Sequence, residues 1–175
     1  MRNPNQVFLM ILMTFLAFVS CTSQDAEPKK ENQEDTFAPF MEELQVVSGE
    51  TIYVPAYSHV YSMSRDRQFD LSVTLSIRNT DLEYPIVVSS VRYYDNNGKL
   101  VKEYLDKPRR LAPMSSADFF VAQMDRSGGL GANFIVEWAA DQKVHEPVVE
   151  AIMIGIFGNQ SVSLISPGRV LSKTP

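Results

Sequence analysis

Basic charge, cysteine, histidine and early glycine are all scarce in this chain of 175 residues. Lys and Arg number 16 against 21 Asp and Glu, for a formal net charge of -5 and a pI near 5.0. A nucleic-acid binder needs a basic footprint, so that class is excluded. The single Cys excludes a disulfide framework within the chain and any zinc site built on several thiolates. The two His, His59 and His145, are far apart and form neither an H-x-x-x-H nor an H-E-x-x-H pattern. No G-x-S-x-G elbow occurs. None of the eight Gly precedes Gly49, and there is no internal repeat. One domain is the default at this length. The sequence therefore predicts no metal site, no cofactor and no catalytic constellation.

The apolar run Val7–Val19 (VFLMILMTFLAFV) follows Arg2, the one charged residue before Asp25. It is shorter than the roughly 20 residues of a membrane span. It fits the core of a secretory signal with a positive start. The run closes on Phe18-Val19-Ser20-Cys21. Apolar and small residues before a lone Cys resemble a bacterial lipobox, with Phe18 where Leu is more usual. That resemblance implies a signal peptide over 1–20, a diacylglyceryl group on the Cys21 thiol, and a further acyl chain such as palmitate on its amine. One acyl chain holds a protein only marginally, whereas two signals or more anchor it stably. A plain thiol at Cys21, in an uncleaved anchor or an ordinary signal, is the competing reading.

Residues 21–36 hold the anchor Cys and then TSQDAEPKKENQEDT, with acids at Asp25, Glu27, Glu31, Glu34 and Asp35. So little apolar surface cannot offset ordering entropy, which predicts a disordered tether. As a flexible coil it would span about 20 Å. Thr22 is not the Asp associated with inner-membrane retention. The expected location is the bacterial cell envelope, at the outer membrane or the periplasmic face. From Phe37 the composition turns apolar, and 37–175 reads as one domain. Phe37, Phe40, Met41 and Leu44 have helical spacing, with Thr36 as cap, and predict one short helix.

Beyond Gly49, turn signals at short intervals separate apolar stretches, the pattern of an all-β domain. Phe69, Leu71, Val73, Leu75 and Ile77 alternate with polar residues through Arg78, which predicts one ten-residue strand. Asp95-Asn96-Asn97-Gly98 between Ile86–Tyr94 and Lys99–Leu105 predicts a hairpin, because Asn-Gly supplies positive φ. Further strands are expected at Thr51–Val54 (extended by Tyr57–Tyr61 after Pro55), Ala117–Met124, Ala132–Ala139, Val148–Phe157 and Ser161–Ile165. About eight strands with short connections predict an antiparallel, immunoglobulin-like β-sandwich. Long helices do not alternate with strands, which disfavours a parallel α/β fold.

Several stretches resemble a bacterial domain-of-unknown-function family, number 3124 in that series: Val54-Pro55-Ala56-Tyr57-Ser58-His59-Val60-Tyr61, Leu75-Ser76-Ile77-Arg78-Asn79-Thr80, Tyr93-Tyr94-Asp95 and Gly128 through Trp138. The resemblance covers roughly Ile52 to Val170. It implies an exported bacterial protein, often a lipoprotein, and assigns no activity.

Two features stand out as candidate sites. Tyr57, His59 and Tyr61 share one face of a strand and form an amphipathic row able to stack on a sugar or an aromatic ligand. The competing reading is a cross-strand aromatic ladder. Strand alternation would point Ser58 and His59 to opposite faces, which argues against a nucleophile–base pair. Ser127-Gly128-Gly129-Leu130-Gly131-Ala132-Asn133 is glycine-rich, but a strand follows it and no Lys is near, so it is no phosphate loop. It reads as a turn or bulge. As a ligand loop it would draw on Asp125 and Asn133.

Met63, Met114 and Met124 read as core filling rather than copper ligands. Lys107-Pro108-Arg109-Arg110 reads as a solvated basic loop; the competing reading is charge contact with anionic headgroups or an acidic glycan. Trp138 falls in period with Phe134 and Val136 and reads as core. Glu150 interrupts VVEAIMIGIF, which is otherwise apolar on both parities, and is expected at an edge or paired with Arg78 or Arg92. The expected function is a non-catalytic binding module held at a membrane by its lipid, with an envelope protein or a polysaccharide as partner. The alternatives are a hydrolase-like enzyme gathering His59, Asp125, Asn133 and Glu150 in one pocket, and a solute- or metal-binding lipoprotein.

Overall fold

The computed structural model describes residues 45–174. They form twelve strands: β1 (Ser48–Pro55), β2 (His59–Tyr61), β3 (Gln68–Asp70), β4 (Ser72–Arg78), β5 (Ile86–Tyr94), β6 (Leu100–Glu103), β7 (Arg109–Leu111), β8 (Ser116–Val121), β9 (Asn133–Ala140), β10 (Val148–Phe157), β11 (Gln160–Pro167) and β12 (Arg169–Lys173). No helix occurs among the described residues. The expected signal peptide, Cys21, the tether and the short helix over 37–44 all lie outside the described residues.

Every pairing is antiparallel. The larger sheet runs β12-β1-β9-β5-β6, with β7 also on β5; the smaller runs β11-β10-β4-β8; β2 and β3 form a separate ribbon. The two sheets enclose one apolar core, as an all-β sandwich does. Alternation builds it. In β9, Phe134, Val136, Trp138 and Ala140 point inward and their neighbours outward. In β8, Ala117, Phe119 and Val121 do the same. Val73, Leu75 and Ile77 of β4 are fully buried, each contributing about 1.5–3 kcal/mol over exposure. In β5 the inward parity changes from Ile86 and Val88 to Val91 and Tyr93. A register shift between Val88 and Ser90 causes this: the extra residue of a bulge moves every later side chain to the other face. Ser89 Oγ donates to the Glu137 carbonyl at that point.

The strand count exceeds the expected eight for three reasons. β7 and β12 are short and mostly exposed, without an apolar alternation to announce them. The ten-residue strand is two, because the chain breaks pairing at Leu71, whose N–H is taken by the Ser58 carbonyl at 2.9 Å. Residues 57–61 do not prolong β1 but contribute β2, which pairs with β3. The expected hairpin is present with a three-residue loop. Asp95 N–H bonds the Lys99 carbonyl, Gly98 N–H bonds the Asp95 carbonyl, and φ is positive at Gly98 (77°) but not at Asn97. That is a type I turn closed by a glycine bulge rather than a primed two-residue turn.

Candidate functional site

Register places the site. Pro55 of β1, Asn133 of β9 and Tyr94 of β5 stand in one row across the larger sheet. The chain leaving β1, the chain entering β9 and the chain leaving β5 therefore meet at one end of the sandwich. Ala56 N–H bonds the Ala132 carbonyl at 2.9 Å, which puts the Pro55 nitrogen on the other side of β1. There the pairing with β12 has already ended at Tyr53 and Arg169, so the missing N–H costs no ladder bond.

Between β1 and β2 the backbone is held residue by residue. Tyr57 N–H reaches Met153 Sδ at 3.3 Å. Ser58, fully buried, gives both its N–H (3.2 Å) and its Oγ (3.0 Å) to the Gly129 carbonyl. His59 and Tyr61 follow in β2, opposite Asp70 and Gln68. Their rings meet edge to face, 6.0 Å apart at 74°.

The glycine loop lies against this segment and against the β5–β6 turn. Gly128 accepts from Asn96 N–H at 3.0 Å. A Cβ on Gly128 would fall 1.9 Å from the Tyr93 hydroxyl, and one on Gly129 (φ 73°) would fall 2.1 Å from Asn96 Oδ1. Glycine is thus required at both positions, by contact at the first and by conformation as well at the second. Arg126 fixes the near end of the loop with a two-pronged bond to Asp70, Nε to Oδ1 at 2.6 Å and Nη2 to Oδ2 at 2.7 Å. Hydrogen bonding from that guanidinium, against the cost of burial, holds the Asp70 carboxyl below its ordinary pKa. Gln123 Nε2 adds a bond to the Asp70 carbonyl.

The result is an open cleft of about 550 Å³ lined by Tyr57, His59, Tyr61, Asn96, Gly129, Leu130 and Gly131. The aromatic row and the glycine loop, recognised separately in the sequence, share it. Asp125 and Asn133 belong to the same end of the fold but are not among the lining residues. Asp125 Oδ1 accepts Ser127 N–H and shapes the loop. Asn133 holds the register row. Asn96 lines the cleft and was visible in the sequence only as a turn residue; nothing local signalled its contact with a loop more than thirty residues away.

Ser58 and His59 differ from the alternation argument. Ser58 precedes β2, so strand parity does not govern it, and its Oγ lies 3.3 Å from His59 Nδ1. The same hydroxyl donates to the Gly129 carbonyl at 3.0 Å, so Ser58 ties the imidazole of His59 to the glycine loop. Being fully buried, Ser58 serves here as a brace.

The remaining candidates are elsewhere. Glu150 pairs with Arg78 at 3.2 Å on the outer face of the smaller sheet, and Arg92 pairs with Glu137. His145 sits by Asp81, whose carboxylate accepts N–H groups of Glu83 (2.9 Å), Tyr84 (2.8 Å) and His145 (2.9 Å). Those donors pull its pKa down to about 2. Beside it, the buried Asn79 amide donates to the carbonyls of Tyr84, Leu111 and Ala112. Arg109 and Arg110 lie in β7 rather than in a loop. Met63, Met114 and Met124 are exposed, not core filling. Trp138 is core, and its Nε1 donates to Glu50 at 3.3 Å. Among the described residues no three His, Cys, Asp or Glu are grouped to hold a metal, and no helix is long and apolar enough to cross a membrane.

The family model described as "Protein of unknown function (DUF3124)" matches residues 49–171. No curated protein matches the chain. Among solved structures, a crystal structure of Thermotoga maritima 1070 is 12% identical over 69% of this chain and 92% of that one, with a TM-score of 0.41.

Proposed function

The chain belongs to the DUF3124 family of unknown function, and from that premise we propose that it is a lipid-anchored, non-catalytic binding module of the bacterial cell envelope. The observation that carries the binding role is the meeting of the Tyr57–His59–Tyr61 row with the glycine loop in one open cleft. Of the groups an assembled hydrolase would gather, only His59 lines that cleft; Glu150 is ion-paired on the outer face of the other sheet. Ser58 Oγ lies 3.3 Å from His59 Nδ1, but Ser58 is fully buried and its hydroxyl donates to the Gly129 carbonyl, which favours a bracing role over that of a nucleophile. The anchoring role is supported by the apolar run that ends at Cys21 and by the acidic stretch after it. The partner is an envelope protein or a polysaccharide.

Two measurements test this. Fatty-acid labelling of the expressed chain should mark the wild type and not Cys21→Ala, and the variant should leave the membrane fraction. Detergent-solubilised full-length chain should capture an envelope component, and Tyr57→Ala with Tyr61→Ala should abolish the capture. A label on Cys21→Ala, or capture indifferent to both tyrosines, would sink the corresponding half of the proposal.

A further inference from the structure

The cleft selects among partners by its size, its charge and its unused polar atoms. Resting on the reading of this cleft as the binding site, we propose that it takes a neutral pyranose unit, one sugar residue of a glycan, seated on the tyrosine rings.

Size comes first. A protein partner recruits about 20–30 residues a side over roughly 800 Å², whereas seven residues line this cleft. A volume of about 550 Å³ falls within the ~300–1,000 Å³ of small-ligand sites. The opening is wide, which suits a chain that enters and leaves rather than an enclosed apolar molecule.

Charge comes next. No Asp, Glu, Lys or Arg is among the lining residues. Asp70, opposite the lining residue His59, is closed on Arg126 by two bonds of 2.6 and 2.7 Å. A carboxylated, phosphorylated or cationic ligand would enter without a counter-charge, and desolvating it would be costly. A neutral ligand meets no such penalty.

Polar atoms around the rings remain available to a ligand. The Tyr57 and Tyr61 hydroxyls and His59 Nε2 make no hydrogen bond among the described residues. His59 lines the cleft and is held from its Nδ1 side by Ser58 at 3.3 Å. Asn96, whose Nδ2 donates to Asn97 Oδ1 at 3.3 Å, keeps its Oδ1 beside Gly129, where the absent side chain makes room for it. Aromatic faces at a fixed corner, with a few hydroxyl, imidazole and amide groups around them, match a ring that is apolar on its C–H face and hydroxylated at its edge. An aromatic ligand would use the faces and leave those polar groups unpaired.

The test uses detergent-solubilised full-length protein and a panel of methyl glucoside, maltose, cellobiose, chitobiose and mannobiose, with glucuronate as charged comparison, read by saturation-transfer NMR and calorimetry. At least one neutral saccharide should bind through its ring C–H face, and glucuronate should bind at least tenfold more weakly. Tyr61→Ala, at an exposed ring, should weaken binding about tenfold with a melting temperature near the wild type. Tyr57→Ala, which also removes packing against the core, should weaken it similarly when read well below the variant's own melting temperature, and Asn96→Ala should weaken it measurably. Ile165→Ala, on the far sheet, should bind normally. Silence from the whole neutral panel, a preference for glucuronate, or affinity unchanged in all three cleft variants would overturn the saccharide assignment. If the panel is silent while Tyr57→Ala still abolishes envelope capture, only the sugar class falls; if capture is also indifferent to Tyr57, the cleft is not the site and both readings fall.

Discussion

Gly128 seats the loop on Tyr93, and that contact can be weighed. A methyl group at 128 would lie 1.9 Å from the Tyr93 hydroxyl oxygen, 2.5 Å from its Cζ and 2.6 Å from the Ala132 Cβ. Tyr93 is 1% exposed and packs tilted on Phe134 with centroids 4.8 Å apart, so it has nowhere to go. The loop must lift instead, at the expense of the bonds from Asn96 N–H and Ser58. Overpacking of this kind costs about 1–3 kcal/mol, or roughly 5–10 °C in melting temperature for a domain of this size.

Tyr93→Phe should behave oppositely. The hydroxyl has no hydrogen-bond partner among the described residues. Removing an unsatisfied buried group is neutral or stabilising, by up to ~1–2 kcal/mol. In the double variant the worst clash disappears but the 2.5 and 2.6 Å contacts remain. The cost of Gly128→Ala should therefore fall without vanishing, giving a coupling energy of about 0.5–2 kcal/mol. Urea and thermal unfolding of the four proteins measure all of this. A Gly128→Ala protein as stable as wild type, or strictly additive effects, would show that the loop does not rest on Tyr93.

The other expectations concern titration and surface. Burial, followed by the charge of Asp125, pushes Tyr104 up to about 12 and Tyr93 higher still. Absorbance titration should then show two of the seven tyrosines ionising late, and stability should fall as pH rises above about 10, where the unfolded chain loses protons that the folded one keeps. The absence of a late-ionising phase that disappears with Tyr93→Phe and Tyr104→Phe would refute it. Asp81→Ala should lower the melting temperature at pH 7. Because the Asp81 pKa is depressed to about 2, its contribution is present above the ordinary carboxylate range and is lost as pH falls from about 4 through 2. The difference between variant and wild type should shrink over that window, and a constant gap would contradict the assignment. Ile154 and Ile165 are 45% and 66% exposed, so Ile154→Ser and Ile165→Ser should change unfolding free energy by less than ~0.5 kcal/mol. Leu75→Ala, in the core, should cost about 2–5 kcal/mol.

Where one face of a strand is buried and the other wet, period two is written into the residues, and β4, β8 and β9 were legible for that reason. Val148–Phe157 has its expected bounds as β10, although apolar residues on both parities hide its period. The structure buries Val149, Ala151 and Met153 and leaves Ile154 and Ile156 outside. Local pattern failed where distant groups decide. Leu71 belongs to an unbroken alternation, but its N–H is captured by Ser58. Ser89 carries no bulge signature, but Glu137 across the sheet accepts its hydroxyl. β12 has no buried residue at all and exists because β1 has an open edge.

The candidate site follows the same division. Tyr57, His59, Tyr61 and the glycines were conspicuous as residue types, and their convergence was not, because it depends on which strands are neighbours. In the order β12-β1-β9-β5-β6, strands far apart in sequence lie side by side. Once Pro55, Asn133 and Tyr94 share a row, three connections must emerge together, and Asn96 is carried to the cleft by a hairpin whose own chemistry only required a turn. The stretches that carry the family resemblance fall on this arrangement. Residues 54–61, 93–95 and 128–138 supply the row and the segments that leave it. Residues 75–80 run into the buried Asn79 amide and the Asp81 turn, which tie three connections by side-chain bonds to backbone. A slip of one residue between β1 and β9 would turn every inward side chain outward, and would separate Ser58 from the Gly129 carbonyl that braces His59. The cleft is thus a consequence of the register that builds the core, and neither can shift without the other.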